Sequence, residues 1–295
     1  MIRVAHKSIF DAYRFRLGRI TDELQTATMK VSSGKRINSF QDDPVGITQV
    51  LKLKSNLLNL DQLKRNIATG RSWLTAGETA LTQVKNILSD AREVCVRYQN
   101  ATIDATQRAD AAQIVLGQLL NIVNLANTTV NGQYIFSGTK TDTAPFSLDD
   151  DSNPTTATYS GNTDAFTIKT GKDITVEVGH NGQAIFGNMI SALIDLKGYL
   201  ETNDIGGIGT ALEQLNTEFD NVVSEIAEIG AKDLRLDTRE KVITDLNLRY
   251  TENQSAIEDI DIVEAVTDLK STELAYQAAL ASSSKIMELS LVDFL

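Results

Sequence analysis

Asp42 and Asp43 stand side by side, and adjacent carboxylates are what a general acid–base pair requires, one protonated and one ionised. The next residue, Pro44, favours a different role. Proline fits the first turn of a helix, where its missing N–H costs nothing, and an aspartate just before it can accept from the free amides of that turn. Asp43 and Pro44 are therefore assigned as a helix cap. Asp149, Asp150 and Asp151 form a second acidic run, but they lack the alternating ligand spacing and distal glutamate of a calcium-binding EF-hand loop. The only histidines, His6 and His180, are far apart in sequence and suggest neither a zinc site nor a catalytic triad. Gly206-Gly207-Ile208-Gly209 has neither the spacing nor the preceding strand of a phosphate-binding loop, and reads as a turn between helices. Cys95, the single cysteine, excludes an internal disulfide and falls on a helical seam as a small apolar side chain. No catalytic, cofactor-binding or metal-binding residue is assigned. An enzyme is not expected, because the charged residues are spread along helix faces instead of converging on a pocket.

The elements that must carry these residues are long helices. Of 295 residues, 42% are apolar and only 6% aromatic, which suits extended helices better than one thick core and leaves room for two or three domains. No proline occurs between residues 45 and 131. Val50, Leu53, Leu57 and Leu60 set a seam that continues through Leu74, Leu81, Val84, Leu88, Ala91, Cys95 and Tyr98. A helix over 45–98 would be roughly 80 Å long at about 1.5 Å per residue, too long to bury itself. A second arm, with Ala105, Ala109, Ala112, Leu116, Leu119, Val123, Ala126 and Val130 on its seam, can fold back along it after a turn at 100–106. Helical periodicity resumes near Ile185 and, past the glycine cluster, runs through Leu212, Leu215, Phe219, Val222, Ile226, Ile229, Leu236, Ile243, Leu246, Tyr250 and Ile257.

Between these helices the pattern changes. Asn131 to Thr139 ends a helix and begins an extended stretch at Tyr134-Ile135-Phe136. Phe166, Ile168 and Thr170, then Ile174, Val176 and Val178, alternate with polar residues across Gly171-Lys172-Asp173, which predicts a hairpin. This segment is expected to be independent of the helices and to cap the far end of the rod.

The two ends read as partners. Phe10, Tyr13, Leu17, Ile20, Leu24, Ala27 and Val31 recur in steps of three and four, the seam of a helix built to lie against another. Ile260, Val263, Val266, Leu269, Leu274, Leu280, Met287 and Leu291 stud a proline-free run at the other end. Residues 1–36 hold eight Lys or Arg against three Asp or Glu, net +5, and residues 251–295 hold two against nine, net −7, so the ends attract. With the whole chain at −11, a nucleic-acid or membrane role for the basic end is not favoured. Neither a secretory leader nor a run of about eighteen apolar residues is seen, so neither Sec export nor a membrane span is expected. The division expected is a terminal coiled-coil assembly domain (1–44 and 255–295), a helical rod (45–141 and 189–254) and a small β-rich insertion (142–188). The fold class is mainly α, an elongated rod of long paired helices.

Three segments carry a resemblance to the flagellin superfamily, and within it to the hook–filament junction branch. They are Ser32-Ser33-Gly34-Lys35-Arg36-Ile37-Asn38-Ser39 followed by Asp42-Asp43-Pro44; Asn131-Gly132-Gln133-Tyr134-Ile135-Phe136-Ser137-Gly138-Thr139-Lys140-Thr141; and Ile257-Glu258-Asp259-Ile260-Asp261 with the closing Leu289-Ser290-Leu291-Val292-Asp293-Phe294-Leu295. The resemblance implies a non-enzymatic subunit of the extracellular flagellum, without cofactor, exported unfolded through a type III channel without a cleaved signal. Its terminal helices would pair antiparallel on assembly. The implied partners are further copies of the chain, a hook-associated protein on the hook side, flagellin on the filament side and a cytoplasmic export chaperone at the C-terminal region, with no nucleic acid and no membrane. A filament subunit is the alternative within the same superfamily. Leu88, Arg92 and Glu93 lie where flagellins carry a stretch seen by an innate immune receptor, and burial in the rod is the expectation for them here.

Overall fold

The structure is a computed structural model that describes the backbone of residues 2–292 and the side chains of residues 11–285. In chain order the helices are α1 (Ile2–Ser33), α2 (Pro44–Tyr98), α3 (Ala105–Ala126), α4 (Gly182–Glu201), α5 (Ile205–Glu258) and α6 (Ile262–Val292). Between α3 and α4 lie six short strands: β1 (Thr129–Val130), β2 (Gln133–Tyr134), β3 (Phe146–Leu148), β4 (Ala157–Tyr159), β5 (Thr167–Lys169) and β6 (Thr175–Glu177). They pair as three antiparallel hairpins, β1–β2, β3–β4 and β5–β6. The chain divides into a terminal unit, Met1–Leu60 with Asp245–Leu295, and a central unit, Asp61–Thr244; the division falls within α2 and within α5.

In the central unit the α2 seam is buried from Leu74 through Leu81, Val84, Leu88 and Ala91 to Cys95. The α5 seam buries Leu215, Val222, Ile229, Leu236 and Ile243. Leu88 thus belongs to the core, and the Arg92 guanidinium lies 4.6 Å from the Phe219 ring centroid.

The expected seam of α3 begins one residue out of place. Ala105 and Ala109 are exposed, and the buried row starts at Arg108, continuing through Ala111, Ala112, Val115, Leu119, Ile122, Val123 and Ala126. An arginine can lead that row because each of its three nitrogens donates a hydrogen bond. Arg108 Nε donates to Tyr98 O at 2.9 Å, Nη2 to Asn100 O at 2.8 Å and Nη1 to Asn203 Oδ1. The guanidinium thereby ties the end of α2 to α3 and to the turn before α5. By length and composition α3 is apolar enough to cross a membrane, although Arg108, Asp110 and its Gln and Asn residues keep it from being a continuous apolar run; here it packs on α4.

Two turns differ from expectation for local reasons. Asn131 and Gly132 have φ of 53° and 80° and form the two-residue turn of the β1–β2 hairpin, as an Asn-Gly pair favours. The glycines at 206, 207 and 209 are not a turn but the first turns of α5. The reversal comes just before, with Asn203 at φ 60°, and Asp204 Oδ1 caps α5 by accepting from Gly207 N at 3.0 Å. Gly207 is needed because a Cβ there would collide with the Tyr199 ring.

The β5–β6 hairpin forms as predicted, with Ile168 opposite Val176. It lies against the side of α2 near Asn66, whose Nδ2 donates to Lys169 O at 2.9 Å. Gly70 leaves the space that Ile168 and Val178 occupy, and Phe166 stacks on Trp73 with centroids 4.6 Å apart. Phe136, Phe146 and Phe186 pack edge to face, at 4.9 and 5.9 Å, which joins β3 and the loop after β2 to α4. Segment 142–188 therefore supplies part of the wall of the helical core. Replacing it with a short flexible linker is expected to lower the thermal midpoint of the central unit by about 10 °C or more, since it strips cover from Trp73 and removes the start of α4. Circular dichroism melting checks this, and an unchanged midpoint would establish the segment as an independent insertion.

Candidate assembly interface

α1 and α6 pack together along their lengths. α1 ends at Gly34, whose φ of 68° only glycine adopts without strain and whose N–H closes on Lys30 O at 2.9 Å. The chain then passes through 35–43 into α2. Asp42 Oδ2 accepts from the amides of Asn38 and Ser39 at 2.9 and 2.8 Å, and these two bonds hold its carboxyl below the usual range. Asp43 Oδ1 accepts from Gly46 N at 2.8 Å, and Pro44 is the first residue of α2. The paired aspartates thus organise a loop and a helix start. α6 opens in a similar way, with Asp261 Oδ1 accepting from Val263 N at 2.8 Å.

On α1 the half-buried row is Tyr13, Leu17, Ile20, Leu24, Ala27 and Val31, all members of the predicted stripe. On α6 the side turned inward carries Ala265, Leu269, Tyr276 and Ala279, with Ile260 just before the helix. Val263, Val266, Leu274 and Leu280 point outward, at 73%, 40%, 68% and 42% exposure. At about 100° per residue these four and Ile262 occupy a second apolar arc, centred about 100° round the helix from the first. Phe15 on α1 is likewise exposed, at 79%. The side chains of Phe10, Met287 and Leu291 lie outside the described residues.

Among the described residues the opposite charges of the two ends do not pair along the seam. Arg19 bonds Glu23 and Lys270 bonds Glu273, each within its own helix. Among the described residues the ion pair joining the ends lies at their base, where Lys35 Nζ is 2.7 Å from Glu258 Oε1. Lys54 Nζ reaches the same oxygen at 2.8 Å, and Gln254 Nε2 donates to Oε2 at 2.7 Å. Burial pushes the Glu258 carboxyl up, but the hydrogen bonds from Lys35, Lys54 and Gln254 outweigh it and hold the group at about 2. A carboxyl depressed on folding contributes stability that is full above its unfolded pKa of about 4.3 and is lost as pH falls toward about 2. The terminal unit is therefore expected to lose stability through that window, and a Glu258→Gln chain less so. Amide exchange within 245–260 at pH 5 and pH 3 measures the difference; equal losses would show that the triad is not the sensitive group.

Two other titratable groups among the described residues are held by local partners. Asp149 is held below the usual carboxylate range by Thr155 and Thr156 within its own turn. His180 is buried beside Glu225, with Nδ1 3.0 Å from Oε1, and that hydrogen bond holds the Glu225 carboxyl low. No group of three or more His, Cys, Asp or Glu that could hold a metal ion is present among the described residues.

Residues 6–141, a little under half of the chain, match the bacterial flagellin N-terminal helical region. Flagellar hook-associated protein 3 of Escherichia coli K12 is 28% identical over 292 aligned positions, covering 89% of this chain and 90% of that one. The flagellar filament 30.7 kDa core protein of Treponema maltophilum is 24% identical over 272 positions, covering 90% and 89%. Among solved structures, a chain described as a flagellar hook-associated protein of Vibrio parahaemolyticus shares the fold. It superposes with a TM-score of 0.67 at 23% identity, over 74% of this chain and all of that one.

Proposed function

We propose that this chain is the subunit that joins hook to filament in the bacterial flagellum, polymerising through α1 and α6. The observation that carries the reading is the second apolar arc of α6. A helix already packed on α1 still presents Val263, Val266, Leu274 and Leu280 to solvent, and an apolar surface of this extent calls for a protein partner. The likeness to hook-associated protein 3 along nearly the whole chain supports a junction role over a filament role. The Treponema relative is the reason to keep the filament subunit as a second reading.

On this reading copies of the chain form a ring, with a hook-associated protein on one side and flagellin on the other. The interface residues are Tyr13, Leu17, Ile20, Leu24 and Val31 with Ile260, Val263, Val266, Leu269, Leu274 and Leu280, joined by Phe10, Met287 and Leu291. The chain reaches the extracellular flagellum through the type III channel without a cleaved signal, its C-terminal region held by an export chaperone beforehand. The test is complementation: in cells that lack their own junction subunit this chain restores attached filaments. Failure there, combined with growth of long filaments by the purified chain alone, would establish the filament reading.

A further inference from the structure

The α1–α6 seam carries little to define its own register. Apart from Tyr13 and Tyr276, its apolar half-buried side chains are small or aliphatic, and among the described residues no side-chain hydrogen bond or ion pair crosses from one helix to the other. Stripes with a repeating three–four spacing still face each other after a slip of one turn or one heptad. Whatever fixes the register lies elsewhere in the terminal unit.

The breaks at the ends of α1 and α5 lie at one level and are joined. Arg36 N donates to Glu258 O at 2.7 Å and Ile260 N donates to Gly34 O at 3.2 Å, so Lys35 and Asp259 face each other as an isolated antiparallel bridge. The Arg36 guanidinium adds a bond to Ile257 O at 2.9 Å. Beneath the bridge the Glu258 side chain, only 6% exposed, takes Lys35 from the chain leaving α1, Lys54 from α2 and Gln254 from its own helix. One carboxylate therefore binds the chain just past α1, the early part of α2 and the end of α5, within four residues of the start of α6. Replacing it with a neutral side chain leaves two ammonium groups facing each other and releases all of these contacts together.

We propose that Glu258 and the Lys35–Asp259 bridge form a register clamp, which fixes the level at which α1 and α6 begin to run side by side. Glu258 is a positioning residue, acting through the two backbone bonds of the bridge and touching none of the seam. The inference concerns two helices of one chain and stands whether the assembled object is a junction or a filament.

The test reads register directly. Ala27 and Ala265 line one groove of about 460 Å³ between the helices, and Leu269 lies one turn further along α6. In a Cys95→Ala background, Ala27→Cys is paired with Ala265→Cys in one chain and with Leu269→Cys in another, and each is treated with a short thiol cross-linker. The in-register pair is expected to be favoured by about tenfold, the size of one coupled interaction, and the preference to fall to within about twofold when Glu258→Ala is added. Lys35→Met, which leaves Lys54 and Gln254 on the carboxylate, is expected to fall between. Helicity and melting of the central unit should match those of the Cys95→Ala parent in every variant. An equal preference with and without Glu258, or no preference in the parent, would overturn the clamp.

Discussion

A chain carrying Leu17→Asp and Ile20→Asp is expected to accumulate, keep the helices of its central unit and fail to hold a filament. Cells in which it is the only copy then release unpolymerised flagellin into the medium. Both side chains lie in the half-buried row of α1, where each contributes something like half of the roughly 1.5 to 3 kcal/mol of a fully buried aliphatic group. Two carboxylates also bring charge into an apolar seam, which costs more than the lost contact. The same loss recurs in every copy, whereas the central unit, Asp61–Thr244, contains neither residue. Phe15→Asp is a sharper companion. Phe15 is 79% exposed in the single chain, so its loss should leave the chain's own packing alone and report only on contacts with neighbours. Normal filaments and swimming in the double variant would place the assembly interface elsewhere.

The largest effect on folding is expected from Arg108→Ala. The change removes the donors to Tyr98 O, Asn100 O and Asn203 Oδ1 and opens a cavity where a side chain only 2% exposed had stood. Stranding buried acceptors and losing the packing together cost about 3 to 5 kcal/mol, a fall of about 10 °C in the melting of the central unit. Arg108→Lys should recover less than half of it, because one ammonium cannot span three acceptors held in a fork. A melting temperature unchanged in Arg108→Ala would show that water replaces the guanidinium at no cost.

These effects were unevenly legible in the sequence. The α1 row was readable because that helix has one apolar stripe, so spacing and facing coincide. α6 has two arcs, and its apolar residues taken together mix them: Ile260 and Leu269 are half-buried, whereas Val263, Val266, Leu274 and Leu280 point to solvent. The net charges of the two ends were real but uninformative about contact, since exposed charges act over about 8 to 10 Å of screened water and need no specific partner. Asp43 and Pro44 carried their role in their order, because capping is local. Glu258 did not: an acidic residue in Ile257-Glu258-Asp259-Ile260-Asp261 gives no sign that a chain two hundred residues away will bury it under two lysines. Arg108 was hidden for the opposite reason, as a charged residue that periodicity assigns to the surface. The Asn131-Gly132 turn was the one missed signal that the residues themselves contained.

Cys95 has a practical consequence. Its thiol is wholly buried, and burial pushes it up to about 12, so near neutral pH the folded chain presents almost none of the thiolate that reacts with alkylating or disulfide reagents. Once the α2 core opens, the group returns to its ordinary value of about 8.5 and labels readily. The native chain therefore carries its own clock for the opening of the central unit, read by mass at a single site, with no label to install.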